Sequence, residues 1–168
     1  MTHLAEQDIA VPPQRRASVR RSPSRGRRPR CNDARWPALA AALDRLHAAR
    51  RHSVRIVDAH CGTGGLLLSA VRLARILGFT AIEARGIDDA RASVVRARAA
   101  AAKVHDPAIS ITFETADVVS ALDDEADFPA DIVLWHGCVA GGDAEAQAVA
   151  CAGRTTIADP LPAGGAVA

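Results

Sequence analysis

The sequence contains very few aromatic residues and almost no lysine. Of its 168 residues 3% are aromatic, none is tyrosine, and Lys103 is the single lysine among many arginines. A core of this composition consists of alanine and aliphatic side chains, and the apolar fraction of 49% suffices for one globular domain. The bias towards arginine and alanine is typical of a GC-rich genome and favours a bacterial source.

Two further features are missing from the sequence. No run of eighteen or more apolar residues occurs, so we expect no membrane-spanning helix and no membrane partner. The cysteines form no C-x-x-C pair and no secretory signal is evident, which favours reduced thiols in a cytoplasmic protein and no metal site. The four cysteines are Cys31, Cys61, Cys138 and Cys151.

Charge is distributed unevenly along the chain. Residues 1–30 hold eight arginines against Glu6 and Asp8, a net +6, so the total of +2 leaves −4 for the rest. Residues 1–32 are therefore predicted to be a disordered tail, and residues 33–168 the folded domain. The acidic domain argues against nucleic acid as a partner, except through the arginine-rich tail, for which a merely solvated segment is the alternative.

From residue 33 onward, segments with the apolar spacing of helices alternate with short apolar strands. This alternation predicts an α/β fold, a doubly wound and mostly parallel sheet. Asp33 is expected to cap the first helix, over residues 37–51. The predicted strands are Val54–Asp58, Ala81–Ile87, Ile109–Glu114 and Ile132–Trp135, and the predicted helices between and after them are Gly65–Leu77, Asp88–His105, Asp117–Glu125 and Ala144–Ala152.

Ligands of such sheets bind at the carboxyl ends of the strands, and the segment V-D-A-H-C-G-T-G-G at Val57–Gly65 lies at one of them. Closely spaced glycines allow a tight turn and a close approach of the backbone to a ligand. A dinucleotide site requires a third glycine where this chain has Leu67, and Asp58 is poorly suited to a pyrophosphate. The alternative is a turn that only links the strand to the helix and binds no ligand.

This segment resembles the first motif of class I S-adenosylmethionine-dependent methyltransferases, (D/E)-x-G-x-G-x-G. Asp58, Gly62 and Gly64 match it, whereas His60 replaces the first glycine. A side chain at that position narrows the methionine end of the pocket or abolishes binding, unless the backbone keeps an allowed conformation.

Gly86–Asp89, G-I-D-D, follows the second predicted strand. Asp88 comes 24 residues after Gly64, near the separation of about 20 that is expected for a ribose-binding acid. In the resembling family this acid binds the ribose of S-adenosylmethionine. Asp89 is expected to cap the next helix, with a ligand contact as the alternative.

Two later segments match the resembling family in the same order. In E-T-A-D-V, Asp117 matches an acid that contacts the adenine amino group and Val118 packs against adenine; a helix cap is the alternative for Asp117. In A-D-I-V-L-W-H-G, Trp135 and His136 are expected to face the sulfonium and the acceptor. His136 is the candidate general base, with a structural role as the alternative.

The resemblance implies one cofactor, S-adenosylmethionine, and a set of candidate binding residues. These are Asp58, His60, Cys61, Gly62, Gly64, Asp88, Asp89, Asp117, Val118 and Trp135. The absence of an N/D-P-P-Y segment speaks against bases and glutamine as acceptors, and favours a small molecule. The predicted function is a methyltransferase, and the alternative is a non-catalytic module that binds S-adenosylmethionine or its demethylated product.

The end of the sequence limits the resemblance. Leu161–Ala168, L-P-A-G-G-A-V-A, is similar to the Leu-x-Pro-Gly-Gly turn that opens the fifth strand of the family, with Ala163 in the proline position. The last strands are therefore expected to be missing. An uncovered edge beside the fourth strand, and a protein partner to cover it, are expected in turn.

Overall fold

The computed structural model describes residue 29, residues 31–136 and residues 142–159. Within these ranges five helices alternate with five strands. In chain order they are α1 (Trp36–Ala48), β1 (Ser53–Ala59), α2 (Gly65–Leu77), β2 (Ala81–Asp88), α3 (Arg91–Ala101), β3 (Ile109–Thr115), α4 (Val118–Ala126), β4 (Ile132–Trp135), α5 (Gly142–Ala152) and β5 (Thr156–Ala158).

All five strands are parallel neighbours in one sheet, in the order β3-β2-β1-β4-β5. The chain moves outward from β1 to β3 and then returns to place β4 on the other side of β1. The strand order therefore reverses between β1 and β4, where Ala59 is the register partner of Trp135. Ligands of open α/β sheets bind at such a reversal. The predicted α/β fold with a doubly wound parallel sheet is confirmed.

Helices cover both faces of the sheet. Alternate residues of a strand point to opposite faces, and accordingly Ile56 of β1 belongs to one core cluster while Val57 belongs to the other. Helices α1, α2 and α3 pack on the first face, and α4 and α5 pack on the second. The strand ends between these layers are thus the accessible part of the sheet, and they carry the candidate site.

Helix α2 holds the glycine turn in place. Its thirteen residues match the prediction, and seven of them are buried, including Leu67 and Leu73. Each fully buried leucine contributes about 1.5–3 kcal/mol of transfer free energy. The helix ends at Gly78, whose φ of 104° closes the last turn, with the Phe79 amide donating to the Ala74 carbonyl at 3.1 Å. The N-terminus of α2 is therefore fixed beneath the carboxyl end of β1.

Several predicted helix boundaries are wrong, among them the end of α1, which is at Ala48 and not at residue 51. Helix α1 begins at Trp36 after Arg35, not after a capping Asp33, because the Asp33 carboxylate accepts hydrogen bonds from Arg35 instead. Helix α3 begins only at Arg91, because Asp88 remains part of β2 and its Oδ1 accepts the Ala90 amide at 2.9 Å. Helix α3 also ends at Ala101, short of the predicted His105.

The edge beside β4 is also different from the expectation. Strand β5 pairs there, with Leu134 opposite Ile157, so the prediction of an uncovered edge beside the fourth strand is wrong. The fifth strand precedes the Leu-x-Pro-Gly-Gly-like segment at Leu161–Ala168, which lies outside the described residues. No helix in the described ranges is long and apolar enough to cross a membrane.

Candidate functional site

The turn between β1 and α2 is the centre of the candidate site. Three of its residues have positive φ, with 60° at His60, 55° at Gly62 and 75° at Gly64. The Cys61 amide donates to the Ile87 carbonyl and the Gly64 amide donates to the Cys61 carbonyl, both at 2.9 Å. The backbone at His60 thus remains in the left-handed region that is allowed to L-residues, at a cost of about 1–2 kcal/mol.

The two glycines of this turn are required for different reasons. A Cβ atom at Gly64 would lie 2.5 Å from the Phe113 ring, so this glycine is needed for packing against β3. A Cβ atom at Gly62 would meet nothing within 4 Å, although its φ is positive. Open space next to the backbone is therefore found at Gly62, and not at Gly64.

Asp88 ties the turn to the end of β2. Its Oδ2 accepts the Gly62 amide at 2.7 Å, its Oδ1 accepts the Ala90 amide, and the side chain is 7% exposed. A carboxylate has about four acceptor positions, so two of them are left for a ligand. Asp89 is exposed and does not cap α3. The N-cap residue of α3 is Ala90, and no side chain caps this helix, so the capping prediction for Asp89 is wrong.

A buried ion pair lies beneath the turn, between Asp58 at the end of β1 and Arg35 before α1. Arg35 Nη1 lies 3.6 Å from Asp58 Oδ1, and both side chains are 1% exposed. Among the described residues, neither this Nη1 nor either Asp58 oxygen has a hydrogen-bond partner. Buried polar atoms are nearly always satisfied, so a donor and an acceptor are available here to a ligand or a water.

The electrostatics around Asp58 favour its neutral form. Burial raises the pKa of Asp58 to about 7; the Arg35 guanidinium lowers it, and Asp33, Asp88 and Asp159 raise it further. One arginine faces several carboxylates at this strand end, and an additional cation would relieve the imbalance.

His136 is held by the same arginine. Arg35 Nη2 lies 2.7 Å from His136 Nε2, and since a guanidinium only donates, Nε2 must accept. The proton of the neutral ring is then on Nδ1, which donates to Asp159 Oδ2 at 2.8 Å. Both ring nitrogens are engaged, so the catalytic role of His136 stays a prediction that requires Arg35 to withdraw.

A second group of side chains connects the turn to α5. Glu145 is 6% exposed, and its Oε1 lies 2.9 Å from His60 Nε2 and 2.5 Å from Trp135 Nε1. His60 and Trp135 are thus brought together at the carboxyl ends of β1 and β4, as the sheet register requires.

The remaining predicted residues lie around this turn. Asp117 is exposed at the N-terminus of α4, where its Oδ1 accepts the Ser120 amide and hydroxyl at 2.9 Å. The Ser120 amide holds the pKa of Asp117 below its usual value. Asp117 therefore caps α4, and its adenine contact stays a prediction, as does that of Val118, which is 4% exposed within the core. Burial raises the pKa of the Cys61 thiol to about 12, and its contact with the cofactor stays a prediction.

Sequence reasoning missed Arg35 and Glu145. Arg35 directly precedes Trp36-Pro37 at a helix start, and a lone arginine among twenty-one basic residues carries no signal of burial. Glu145 belongs to an ordinary alanine-rich helix, and its partner His60 is 85 residues away in the chain. Only the crossover connections of the sheet bring these residues to one place.

A separate groove of about 500 Å³ opens at the opposite edge of the sheet. Residues at the beginnings of three strands line it, among them Ser53, Ala81 and Ile109. None of the predicted site residues borders this groove. Among the described residues no group of three or more His, Cys, Asp or Glu side chains is arranged to hold a metal ion.

Comparison with known proteins gives structural matches only. No protein-family model matches the chain, and no curated protein is significantly similar to it. WbdD in complex with a kinase inhibitor matches with a TM-score of 0.58, at 18% identity over 76% of this chain and 28% of that one. The bifunctional kinase-methyltransferase WbdD matches with a TM-score of 0.51, at 19% identity over 64% and 22% of the two chains.

A third solved structure is the magnesium protoporphyrin IX methyltransferase of Synechocystis PCC 6803 with bound S-adenosylmethionine. It matches with a TM-score of 0.48, at 19% identity over 72% of this chain and 55% of that one. The chain spans between 18% and 55% of the length of these and similar solved structures. This chain therefore has a Rossmann-like α/β fold, and it shares that fold with the bifunctional kinase-methyltransferase WbdD.

Proposed function

We propose that this chain binds S-adenosylmethionine and transfers its methyl group to a small-molecule acceptor. The observation that carries the proposal is the pair of unsatisfied buried groups, Arg35 Nη1 and the Asp58 carboxylate, directly beneath the glycine turn. Support also comes from the match of the sequence motifs with the observed strand ends.

The amino-acid end of the cofactor fits this pair chemically. Asp58 supplies a carboxylate acceptor for an ammonium group, and Arg35 supplies a cationic donor for a carboxylate. The open space at Gly62 and the free amides at the N-terminus of α2 favour the same carboxylate. An ammonium group also provides the additional cation that the surplus of acidic groups around Asp58 favours.

The nucleoside end is assigned to the ends of β2 and β3. Asp88 keeps two acceptor positions for the ribose hydroxyls while it orients the turn through Gly62. Exposed Asp89 and Asp117 lie at the same edge of the sheet and are proposed to contact the ribose and the adenine amino group.

When bound, the sulfonium group supplies an electrophilic methyl carbon. The residues of the chain hold the donor and the acceptor in line, and this positioning accounts for most of the acceleration. Trp135 at the end of β4 offers an aromatic ring that attracts a sulfonium cation. Its indole N–H donates to Glu145, and this bond orients the ring.

A second candidate function is cofactor binding without transfer. It is favoured by His136, whose two nitrogens are occupied by Arg35 and Asp159, so that the predicted base is not free. The nicotinamide alternative is disfavoured, since Leu67 replaces the third glycine and is 0% exposed in the core.

Calorimetry with S-adenosylmethionine, with its demethylated product and with NAD tests the proposal. We expect binding of the first two and none of NAD, and we expect Arg35→Gln to weaken binding at least about tenfold because a charge-assisted hydrogen bond is lost. Mass-spectrometric detection of methylated products from a pool of small hydroxyl and carboxyl acceptors then separates transfer from binding. Tight NAD binding, or no binding of either adenosyl compound, would exclude the proposed function.

A further inference from the structure

The pairing of His60 with Glu145 fixes the tautomer of the His60 ring. Glu145 is a buried carboxylate that can only accept, so His60 Nε2, 2.9 Å away, must donate. The same oxygen accepts the Trp135 indole N–H. The neutral His60 ring then carries its lone pair on Nδ1.

The ring that carries this lone pair is partly exposed. The His60 side chain is 31% exposed, and its Nδ1 has no hydrogen-bond partner among the described residues. His136 is the opposite case, since its Nε2 accepts from Arg35 and its Nδ1 donates to Asp159. Of the two imidazoles at the carboxyl ends of β1 and β4, only that of His60 is free to take a proton.

We propose that His60 Nδ1 is the proton acceptor of the site, that Glu145 is its positioning residue, and that the methyl acceptor is a hydroxyl group. The inference rests on the proposed function. His60 follows Ala59, whose register partner is Trp135, so the ring lies where the ends of β1 and β4 meet. A carboxylate that is hydrogen-bonded to one imidazole nitrogen orients the ring and stabilises its protonated form, as in a catalytic triad.

The proposed step balances as a substitution at carbon. The acceptor oxygen bonds to the methyl carbon, the carbon–sulfur bond breaks with its electron pair on sulfur, and the hydroxyl proton moves to His60 Nδ1. The resulting imidazolium is stabilised by the charged groups that face it, Glu145 of α5 and Asp117 before α4, while the packed Trp135 is uncharged. The exposed ring then releases the proton to water. A hydroxyl acceptor must lose this proton, and a positioned base accelerates such a transfer about 10²–10⁴-fold.

The tautomer is tested by NMR on the full chain with ¹⁵N-labelled histidine, using His60→Gln to assign the His60 signal. We expect the proton on Nε2 in His60 and on Nδ1 in His136. Glu145→Leu should abolish the preference at His60, and Glu145→Gln should restore it, because an amide oxygen still accepts from Nε2. A proton on Nδ1 of His60, or an unchanged spectrum in Glu145→Leu, would overturn the assignment.

Accessibility is tested by carbethoxylation with diethyl pyrocarbonate, mapped by mass spectrometry with and without S-adenosylhomocysteine. At ten times its Kd, S-adenosylhomocysteine leaves about a tenth of the cofactor sites unoccupied. Modification of His60 by diethyl pyrocarbonate should therefore slow about tenfold. If S-adenosylhomocysteine binds but does not protect His60 from modification, the assignment of His60 as the base is refuted and the proposed function is not. If S-adenosylhomocysteine does not bind in calorimetry, both the proposed function and the role of His60 as the base are refuted.

Discussion

Two buried groups of opposite charge, Asp58 and Arg35, lie side by side at the candidate site. Asp58 and Arg35 are each exposed by no more than 2%, in a molecule whose other buried residues are largely aliphatic. Burial of charge without full hydrogen bonding destabilises a folded protein by several kcal/mol per ion, by order of magnitude. The two residues have most weight in the proposed function because the cofactor would supply the hydrogen-bond partners that they lack.

Asp58→Asn should change the pH dependence of stability. The ordinary pKa of an aspartate, which applies to the unfolded chain, is 3.8, and the pKa of Asp58 in the folded chain is about 7. Between these two values the folded state holds a proton that the unfolded state has lost. Stability therefore falls as pH rises through this window, and asparagine removes the fall. We expect the free energy of unfolding of the variant, relative to the native chain, to increase by at least about 1 kcal/mol from pH 4.5 to 7.5.

Urea denaturation at several pH values measures this difference. Asp106→Asn is the matched control, because hydrogen bonding from the Ala108 amide lowers the pKa of Asp106 and its stabilising effect is complete above pH 4.5. Its effect on stability should be constant across the window. A constant effect of Asp58→Asn as well would mean that Asp58 is ionised throughout.

Asp88→Ala should weaken both ligand binding and the fold. The variant loses the ribose acceptor, and it leaves the amides of Gly62 and Ala90 without their partner. We expect the Kd for S-adenosylmethionine to rise at least about tenfold, and the free energy of unfolding to fall by about 1–3 kcal/mol. Calorimetry and urea denaturation measure the two effects, and Asp123→Ala on the exposed side of α4 serves as control. An unchanged Kd would remove Asp88 from the site.

At the scale of elements, the turn depends on β3 as much as on its own glycines. The Phe113 ring of β3 fills the space beneath both Gly64 and Gly86, where an added Cβ would lie 2.5 Å and 2.4 Å from ring atoms. The turn is thereby held between α2 and the sheet.

Gly64→Ala and Gly62→Ala should therefore differ in their effects. Both positions have positive φ, which costs alanine about 1–2 kcal/mol. Only at Gly64 must the Phe113 ring move, which adds about 1–3 kcal/mol of overpacking. Urea denaturation of the two variants should rank Gly64→Ala as clearly less stable. Phe113→Leu should recover part of that loss, and equal losses at the two glycines would contradict the packing argument.

At the scale of the whole molecule, β5 is the outermost described strand on the side of β4. It has only three residues, and Ile157 alone of them is buried, where it faces the same core cluster as α1 and α2. The Val133 amide also donates to the Thr155 carbonyl at 2.8 Å. A short strand thus protects the backbone of β4, which would otherwise be a pairing edge for other chains.

Ile157→Asp should destabilise the molecule by about 3–5 kcal/mol, because an unpaired charge would enter the core. Detachment of β5 would expose the edge of β4, so we also expect concentration-dependent aggregation in light scattering. The control is Thr156→Asp at the neighbouring exposed position, which should stay within about 0.5 kcal/mol of the native chain. Similar behaviour of the two variants would contradict the role of β5.

The amino-acid sequence by itself determined the fold class and the position of the glycine turn between β1 and α2. Alternating apolar periods predict β1 to β4 and α2, because strand and helix periodicity are local properties. The spacing of Gly62 and Gly64 after a buried strand predicts the turn, and Asp88 is correctly placed at the end of the neighbouring strand. Local capping was less predictable, since Asp33 and Asp89 have the residue type of a cap and yet do not cap their helices.

The tertiary structure alone decided which side chains meet. Arg35, Asp58, His136 and Asp159 come from four separate segments, and only the strand order brings them together. The choice between His60 and His136 as proton acceptor likewise depends on which ring nitrogen is already engaged, and sequence spacing does not specify this. Burial, hydrogen-bond partners and pKa shifts are properties of long-range packing, so they arise only when the chain has folded.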